Sequence, residues 1–257
     1  MKAVIKNLLY KTNYKYWLDN LVRKLRDPQF ARRLDEESVF YRKHICVPSD
    51  GLIFDVGVNR GFKSVLFRQM GASVVGIEPL PECIDELDTR FSKDPHYKLV
   101  SKALGDSAGT AQLRRADVSA MCSMSDAWVD LGRTNKSDYI EVEVTTLDQL
   151  IEQYGEPDFC KIDVEGYEPE VLAGLNTGIK NLSFEFTPII SKLGISCINH
   201  LESLGTYEYN KSAMDSGDMK LDFKEWLDAE AMTKIMLEME AATEWQKAGD
   251  IYARRVA

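Results

Sequence analysis

The chain has 257 residues, enough for one large α/β domain with an appendage. Its 32 Lys and Arg stand against 41 Asp and Glu, a formal charge of −9 that argues against a general nucleic-acid binder. Residues 1–43 nevertheless hold 11 basic and 5 acidic side chains, leaving −15 on the remainder, so the N-terminal arm is a candidate for touching something acidic.

In chain order, Ile5, Leu8, Leu9, Tyr16, Trp17, Leu21, Val22 and Leu25 recur at helical spacing with basic residues between them. They predict one or two amphipathic helices before residue 30, packed on the main domain. Contact with an anionic membrane surface or docking of a partner are the alternatives for this basic helical arm, residues 1–45. The domain proper is expected over 46–257. LIFDV then reads as a strand, GFKSVLFRQMG as a helix, SVVGIE as a second strand, PECIDELDTRF as a helix and YKLVSKAL as a third strand. Apolar strands joined by helices predict a parallel sheet covered on both faces. Residues 105–137 are polar and include SAMCSMSDAW, an irregular excursion of the kind that is functional or mobile. After it come the alternating strand YIEVEVTTL, the helix LDQLIEQY, the fourth core strand DFCKID, the helix EPEVLAGL and the fifth core strand NLSFEF. YEYNKS and GDIYARRV predict two last strands flanking a helical insert at about 222–247. Its Met and Leu spacing suggests core or oligomer packing, with a substrate lid as the sharper alternative; a homo-oligomer stays open.

Five cysteines, Cys46, Cys83, Cys122, Cys160 and Cys197, lie far apart without zinc spacing, which reads as reduced thiols in a cytoplasmic protein. The opening MKAVIKNLLYKTNYKYW is too broken by lysines for a signal peptide, and no run approaches a membrane span, so a soluble protein is expected. His44, His96 and His200 are isolated and read as structural or exposed.

The most informative stretch is DVGVNRG, Asp55 to Gly61, where a strand hands over to a helix. Glycines there let the backbone turn sharply and approach a ligand closely, and the following helix offers unpaired N–H groups. The spacing is Gly57-x-x-x-Gly61 and not the GxGxxG of a dinucleotide site. Asp55 at the strand end suits a cationic or amine-bearing ligand. Glu78 ends the second strand, 21 residues after Gly57, a separation at which an acid accepts from ribose hydroxyls. An amine, a positive sulfur and an adenosine together describe S-adenosylmethionine.

DVGVNRG, IEPLPECIDEL, KALGDSAG, TTLD and KIDVEGYEPEVLAGL, in this order from about Gly51 to Phe186, resemble the FkbM family of S-adenosylmethionine-dependent methyltransferases. The resemblance implies a Rossmann-like class I methyltransferase fold: a seven-stranded, mostly parallel sheet whose final strand is antiparallel. It also implies that Asp55, Gly57, Val58, Asn59 and Gly61 surround the methionine portion, Val58 replacing the family's usual Ala. Glu78, followed by Pro79, would hold the ribose. Ala103, Leu104 and Asp106 would lie beside the adenine, with Asp106 accepting from the exocyclic amine.

The segment CKIDVEGYE brings Lys161, Asp163 and Glu165 to the end of the fourth core strand, beside the first strand and therefore at the switch point of the sheet. Strand alternation sends Lys161 and Asp163 to one face, where they can pair. Asp163 or Glu165 is the expected base for the acceptor's proton, with Gly166 leaving room for substrate; that Lys161 merely neutralises Asp163 is the blander reading. Glu185 ends the fifth strand facing the same cleft. A divalent metal on Asp163, Glu165 and Glu185 suits carboxylate chemistry, but the spacing does not require it and none is assigned. The resulting expectation is O-methylation of a sugar, glycan or other small metabolite, the acceptor class resting on the resemblance alone. A methyltransferase-like binding protein without turnover and an NAD-dependent oxidoreductase are the rivals, the second disfavoured by the missing GxGxxG.

Overall fold

The apolar strands pair side by side in the computed structural model, which describes residues 28–45, 48–132, 138–213, 219–243 and 248–256. Helix α1 (Pro28–Phe40) runs into a π-helical turn at Tyr41–Ile45. Strands and helices then alternate: β1 (Leu52–Val56), α2 (Phe62–Gln69), β2 (Ser73–Ile77), α3 (Pro81–Phe91) and β3 (Tyr97–Val100). A smaller unit follows, made of β4 (Ala103–Leu104), β5 (Gly109–Arg114), the short α4 (Asp126–Asp130) and β6 (Tyr139–Thr145). The chain returns through α5 (Leu147–Tyr154), β7 (Phe159–Ile162), α6 (Glu168–Ala173), β8 (Asn181–Phe186) and α7 (Ser191–Leu204). It ends with β9 (Tyr207–Ala213), α8 (Ala229–Ala241) and β10 (Gly249–Arg255).

The seven-stranded sheet has the order β3-β2-β1-β7-β8-β10-β9. Its first five strands pair in parallel, and β10 runs antiparallel to both β8 and β9, as the sequence led us to expect. Strand β1 is apolar on consecutive residues because both faces are covered. Phe54 and Val56 join Ile162 and Phe184 in a core roofed by α5 to α8, while Ile53, Phe159 and Tyr252 join Phe67 and Phe40 in a core roofed by α1 and α2. Each such fully buried side chain contributes about 1.5–3 kcal/mol. The described part of the arm is thus bound into the domain: Phe40 meets Tyr252 edge-on at 5.3 Å and Tyr41 meets Phe67 at 5.1 Å.

Three expectations are corrected. YKLVSKAL is two strands: Glu78 N donates to Val100 O, but the next residue of that edge is Pro79, which has no amide to extend the ladder, and Ala103–Leu104 swing away to pair with β6. The polar excursion is not irregular throughout, since β5 pairs antiparallel with β6 and Ser125 Oγ accepts from Trp128 N at 3.4 Å to cap α4. The insert is helical only from Ala229, where Asp228 Oδ1 accepts from Ala231 N at 2.8 Å; Leu227 instead bridges Tyr209 as extended chain. Helix α7 was not foreseen, whereas α1 falls within the helical arm expected over 1–45. The predicted helical pattern before residue 28, Cys46 and residues 244–247 lie outside the described residues. Among the described cysteines Cys83, Cys122, Cys160 and Cys197 are free thiols, and no described helix is long and apolar enough to cross a membrane.

Helix α2 is clipped to the α3–β3 connection by a nearly buried ion pair. Arg68 Nε and Nη2 donate to Asp94 Oδ2 and Oδ1 at 2.8 and 3.2 Å, and Arg68 Nη1 donates to the Ala72 carbonyl. Asp94→Ala strands the guanidinium and is expected to cost about 3–5 kcal/mol. Urea unfolding checks this through a lowered midpoint at unchanged slope.

Candidate active site

The turn after β1 sets the geometry of the cleft. Gly57 N and Val58 N both donate to the Ile77 carbonyl, at 3.0 and 3.2 Å, which folds the chain across the end of β2. Gly57 has a φ of 78°, and a Cβ there would lie 1.8 Å from the Asp163 carbonyl oxygen. Only a residue without a side chain fits. Asn59 is also left-handed, at a φ of 51°, and its amide donates to Glu78 Oε2 at 2.6 Å while Leu80 N donates to Glu78 Oε1 at 2.9 Å. Glu78 is 4 % exposed. Burial pushes its pKa up to about 7 against the pull of those two amides.

An open cleft lies over this turn. Gly57, Asn59 and Glu78 line one part, and Pro79, Leu80, Ala103 and Leu104 form an apolar wall beside them. The facing wall is Leu113 of β5 with the segment Ser119–Met124. That segment is tied across the cleft: Ser119 Oγ donates to Asn59 Oδ1 at 2.9 Å and Ser123 Oγ to the Glu165 carbonyl at 2.7 Å. Asp163, Val164, Glu165 and Tyr167 close the far end.

Acids gather at that end. Lys161, 2 % exposed, donates through Nζ to Asp163 Oδ2 at 2.6 Å. Burial alone would lower the lysine pKa, but the carboxylates of Asp163, Asp250 and Asp55 outweigh it and raise it, so the side chain is a fixed cation. Glu168 Oε1 accepts from Val164 N at 3.0 Å and Gly166 N at 3.3 Å. It thereby holds the turn in which Glu165 and Gly166 are both left-handed, at φ 56° and 86°. Burial raises the Glu168 pKa to about 7. Carboxylate oxygens of Asp163, Glu165 and Glu185 lie within 4.8 Å of one another. Glu185 is pushed well above the usual carboxylate range by burial and then by repulsion from Asp163 and Glu165.

Of the residues singled out in the sequence, Gly57, Asn59, Glu78, Pro79, Ala103, Leu104, Asp163 and Glu165 line the cleft. The others stand behind it. Asp55 is 1 % exposed on the opposite face of β1 from the cleft residue Val56, and its Oδ2 accepts from Ser64 Oγ at 2.6 Å. Val58 is buried in the core, Gly61 caps α2, and Asp106 lies on an exposed turn beside Ser107. Lys161 reaches the cleft through Asp163. Leu80, Leu113, Tyr167 and Glu168 escaped sequence reasoning; the Met-Ser segment was marked as unusual, but its place opposite Asn59 needed the β5–β6 hairpin.

A family profile described as the methyltransferase FkbM domain matches residues 55–229. The chain belongs to this family. Membership makes S-adenosylmethionine its methyl donor, and the FkbM cleft fits such a group: a glycine cradle a Cβ would fill, a buried acid with lone pairs left over for hydroxyls, and a carboxylate end for a positive charge. The hexuronic acid methyltransferase AglP of Haloferax volcanii is 24% identical over 143 residues, 54% of this chain and 56% of AglP. The match thus spans about half the length of that relative. Among solved structures, a precorrin-6y C5,15-methyltransferase from Geobacter metallireducens matches with a TM-score of 0.44 and 9% identity, covering 85% of this chain and 88% of that one. Aeropyrum pernix fibrillarin with natively bound S-adenosyl-L-methionine matches with a TM-score of 0.45 and 11% identity, covering 84% and 73%.

Gly57→Ala in this FkbM chain drives a Cβ into the Asp163 carbonyl and imposes an unfavourable φ. Such strain costs about 1–3 kcal/mol. The expected outcome is a lower melting temperature together with loss of S-adenosylhomocysteine binding, read by calorimetric titration.

Proposed function

We propose that this FkbM chain transfers a methyl group from S-adenosylmethionine to a hydroxyl oxygen of a sugar or glycan. The observation that carries this reading is the gathering of Asp163, Glu165 and Glu185 at the end of the cleft, with Lys161 fixed against Asp163. The relative named for hexuronic acid methylation supports a sugar acceptor.

In this reading Glu78 receives the ribose hydroxyls on the lone pairs that the Asn59 and Leu80 amides leave free. Gly57 and Asn59 pass beside the methionine portion, and Ala103, Leu104 and Pro79 face Leu113 and Met124 across the adenine. Asp55, Val58 and Gly61 act at one remove, Asp55 by holding Ser64 and Gly61 by starting α2. Residues 46–257 form the catalytic domain, and the arm 1–45 contributes α1 to its cover. The donor supplies an activated methyl group when bound. The chain's own work is alignment and proton removal. Holding the acceptor in line supplies roughly 7–11 kcal/mol of barrier lowering. Asp163 takes the hydroxyl proton as the oxygen gains its methyl group, and Lys161 holds that carboxylate in place beforehand. Glu168 fixes the turn that presents Glu165 to the acceptor.

Asp163→Asn removes the proton acceptor but leaves Glu78 and the glycine turn intact. Turnover is expected to fall by about 10²–10⁴-fold, with S-adenosylhomocysteine affinity largely kept. Near-normal turnover rejects Asp163 as the base, and a protein that binds donor but never turns over any hydroxyl supports the binding-protein rival. A second outcome concerns pH. Because the Glu78 pKa is raised to about 7, the carboxyl is protonated below that value and loses acceptor capacity. Donor binding should therefore weaken as pH falls through 7, by roughly tenfold per unit at the limit, and Glu78→Gln should abolish that slope in a pH series of titrations.

A further inference from the structure

The acceptor end of the cleft holds more carboxyls than cations to pair with them. Register places Glu185 of β8 opposite Asp250 of β10, and Asp250 in turn opposite Ser212 of β9, all on the sheet face that bears Lys161. Two lysines reach this corner and both are engaged: Lys161 with Asp163 at 2.6 Å, and Lys63 with Glu37 at 2.6 Å. Among the described residues neither Glu185 nor Asp250 has an ion pair of its own, and burial raises the pKa of both. Uncompensated acids alone do not define a ligand. Beside them, however, stand hydroxyls without partners: Ser183 Oγ, fully buried two residues before Glu185 on the same strand face, and Ser212 Oγ, 2 % exposed and opposite Asp250. A corner of carboxyls and unused hydroxyls matches a hydroxyl-rich molecule that brings no negative charge.

We propose that the methyl acceptor is a non-anionic sugar, neutral or amine-bearing, and that Glu185 and Asp250 select against uronic acids. This inference rests on the sugar O-methylation reading above and departs from the hexuronic acid named for the AglP relative. The physical reason is that a sugar carboxylate would enter beside Asp163, Glu165 and Glu185, where each further acid must be held unpaired or protonated. A neutral ring meets no such penalty. Its hydroxyls donate to the carboxylates, and a protonated Glu185 can donate back to a ring oxygen. An amine would in addition bring a cation to Glu185, which has no ion pair of its own among the described residues.

The test uses the full chain, methyl-labelled S-adenosylmethionine, and a matched glucoside, glucosaminide and glucuronide, each with chelator and with added Mg²⁺. Expected is a kcat/KM for the glucuronide at least about tenfold below the better of the other two. Glu185→Gln should narrow that gap, and Asp250→Asn provides the same readout should the first variant fold poorly. Glucuronide turnover equal to or above the others overturns the inference and leaves sugar O-methylation standing. So does glucuronide turnover that appears only with Mg²⁺, because the three carboxylates would then hold a cation. A gap unchanged in both variants overturns the role of these two acids. Labelling of none of the three glycosides while S-adenosylhomocysteine still binds overturns the inference and the sugar reading together.

Discussion

The molecule is organised around one close backbone approach, the contact between Gly57 at the end of β1 and the Asp163 carbonyl at the end of β7. The two strands are paired in register up to Val56 and Ile162, and Asp163 N still donates to the Val56 carbonyl at 3.0 Å. Beyond that rung the chains must part, β1 turning toward β2 and β7 running on into the turn held by Glu168. The crevice opens where they separate, because β2 lies on one side of β1 and β7 on the other. A side chain at position 57 would fill the place where the two turns touch.

Around that contact the electrostatics divide the cleft into two kinds of surface. At the Glu78 end a single buried carboxyl accepts one backbone amide on each oxygen, which offsets part of the burial that raises its pKa to about 7 and leaves lone pairs free. At the Asp163 end several carboxyls share one buried lysine. Burial and mutual repulsion raise the pKa of Glu168, Glu185 and Asp250, and each proton held there is one the solvent would otherwise have taken. Lys161 is the exception that makes the arrangement tolerable, a fully buried cation facing Asp163, Asp55 and Asp250.

The smaller sheet explains how a doubly wound core acquires a second wall for its cleft. Pro79 stops the main ladder, and the freed strand Ala103–Leu104 becomes the edge on which β6 and then β5 assemble. Leu80, Cys83, Ala103, Leu113, Val142 and Val144 bury one another beneath it. That cluster gives the Ser119–Met124 segment a firm base, and two serine hydroxyls fasten it to Asn59 and to the Glu165 carbonyl. The wall is therefore tied at both ends to the turns it faces.

Local pattern determined a good deal. Apolar runs marked β1 and β2 as strands of a covered parallel sheet, alternation marked β6, and YEYNKS and GDIYARRV read as two last strands flanking a helical insert. The glycines of DVGVNRG and the acid of IEPL were legible as one strand-edge site because both lie at a strand's carboxyl end, and period-two alternation was enough to pair Lys161 with Asp163. Helix α7 was not read from the sequence: its Cys197, Ile198 and Leu201 are buried in the core, but no capping side chain marks where it starts. Asp55 shows the limit most clearly: its position is right for the cleft, yet the face it takes depends on β1 being covered on both sides, which sends Val56 toward the cleft and Asp55 toward Ser64. Short-range periodicity thus decided element type and strand order of chemistry. Which carboxyls share one lysine, which hydroxyls are left without partners, and which hairpin closes the cleft were decided by tertiary packing, because these depend on residues 20 to more than 100 positions apart being brought into contact.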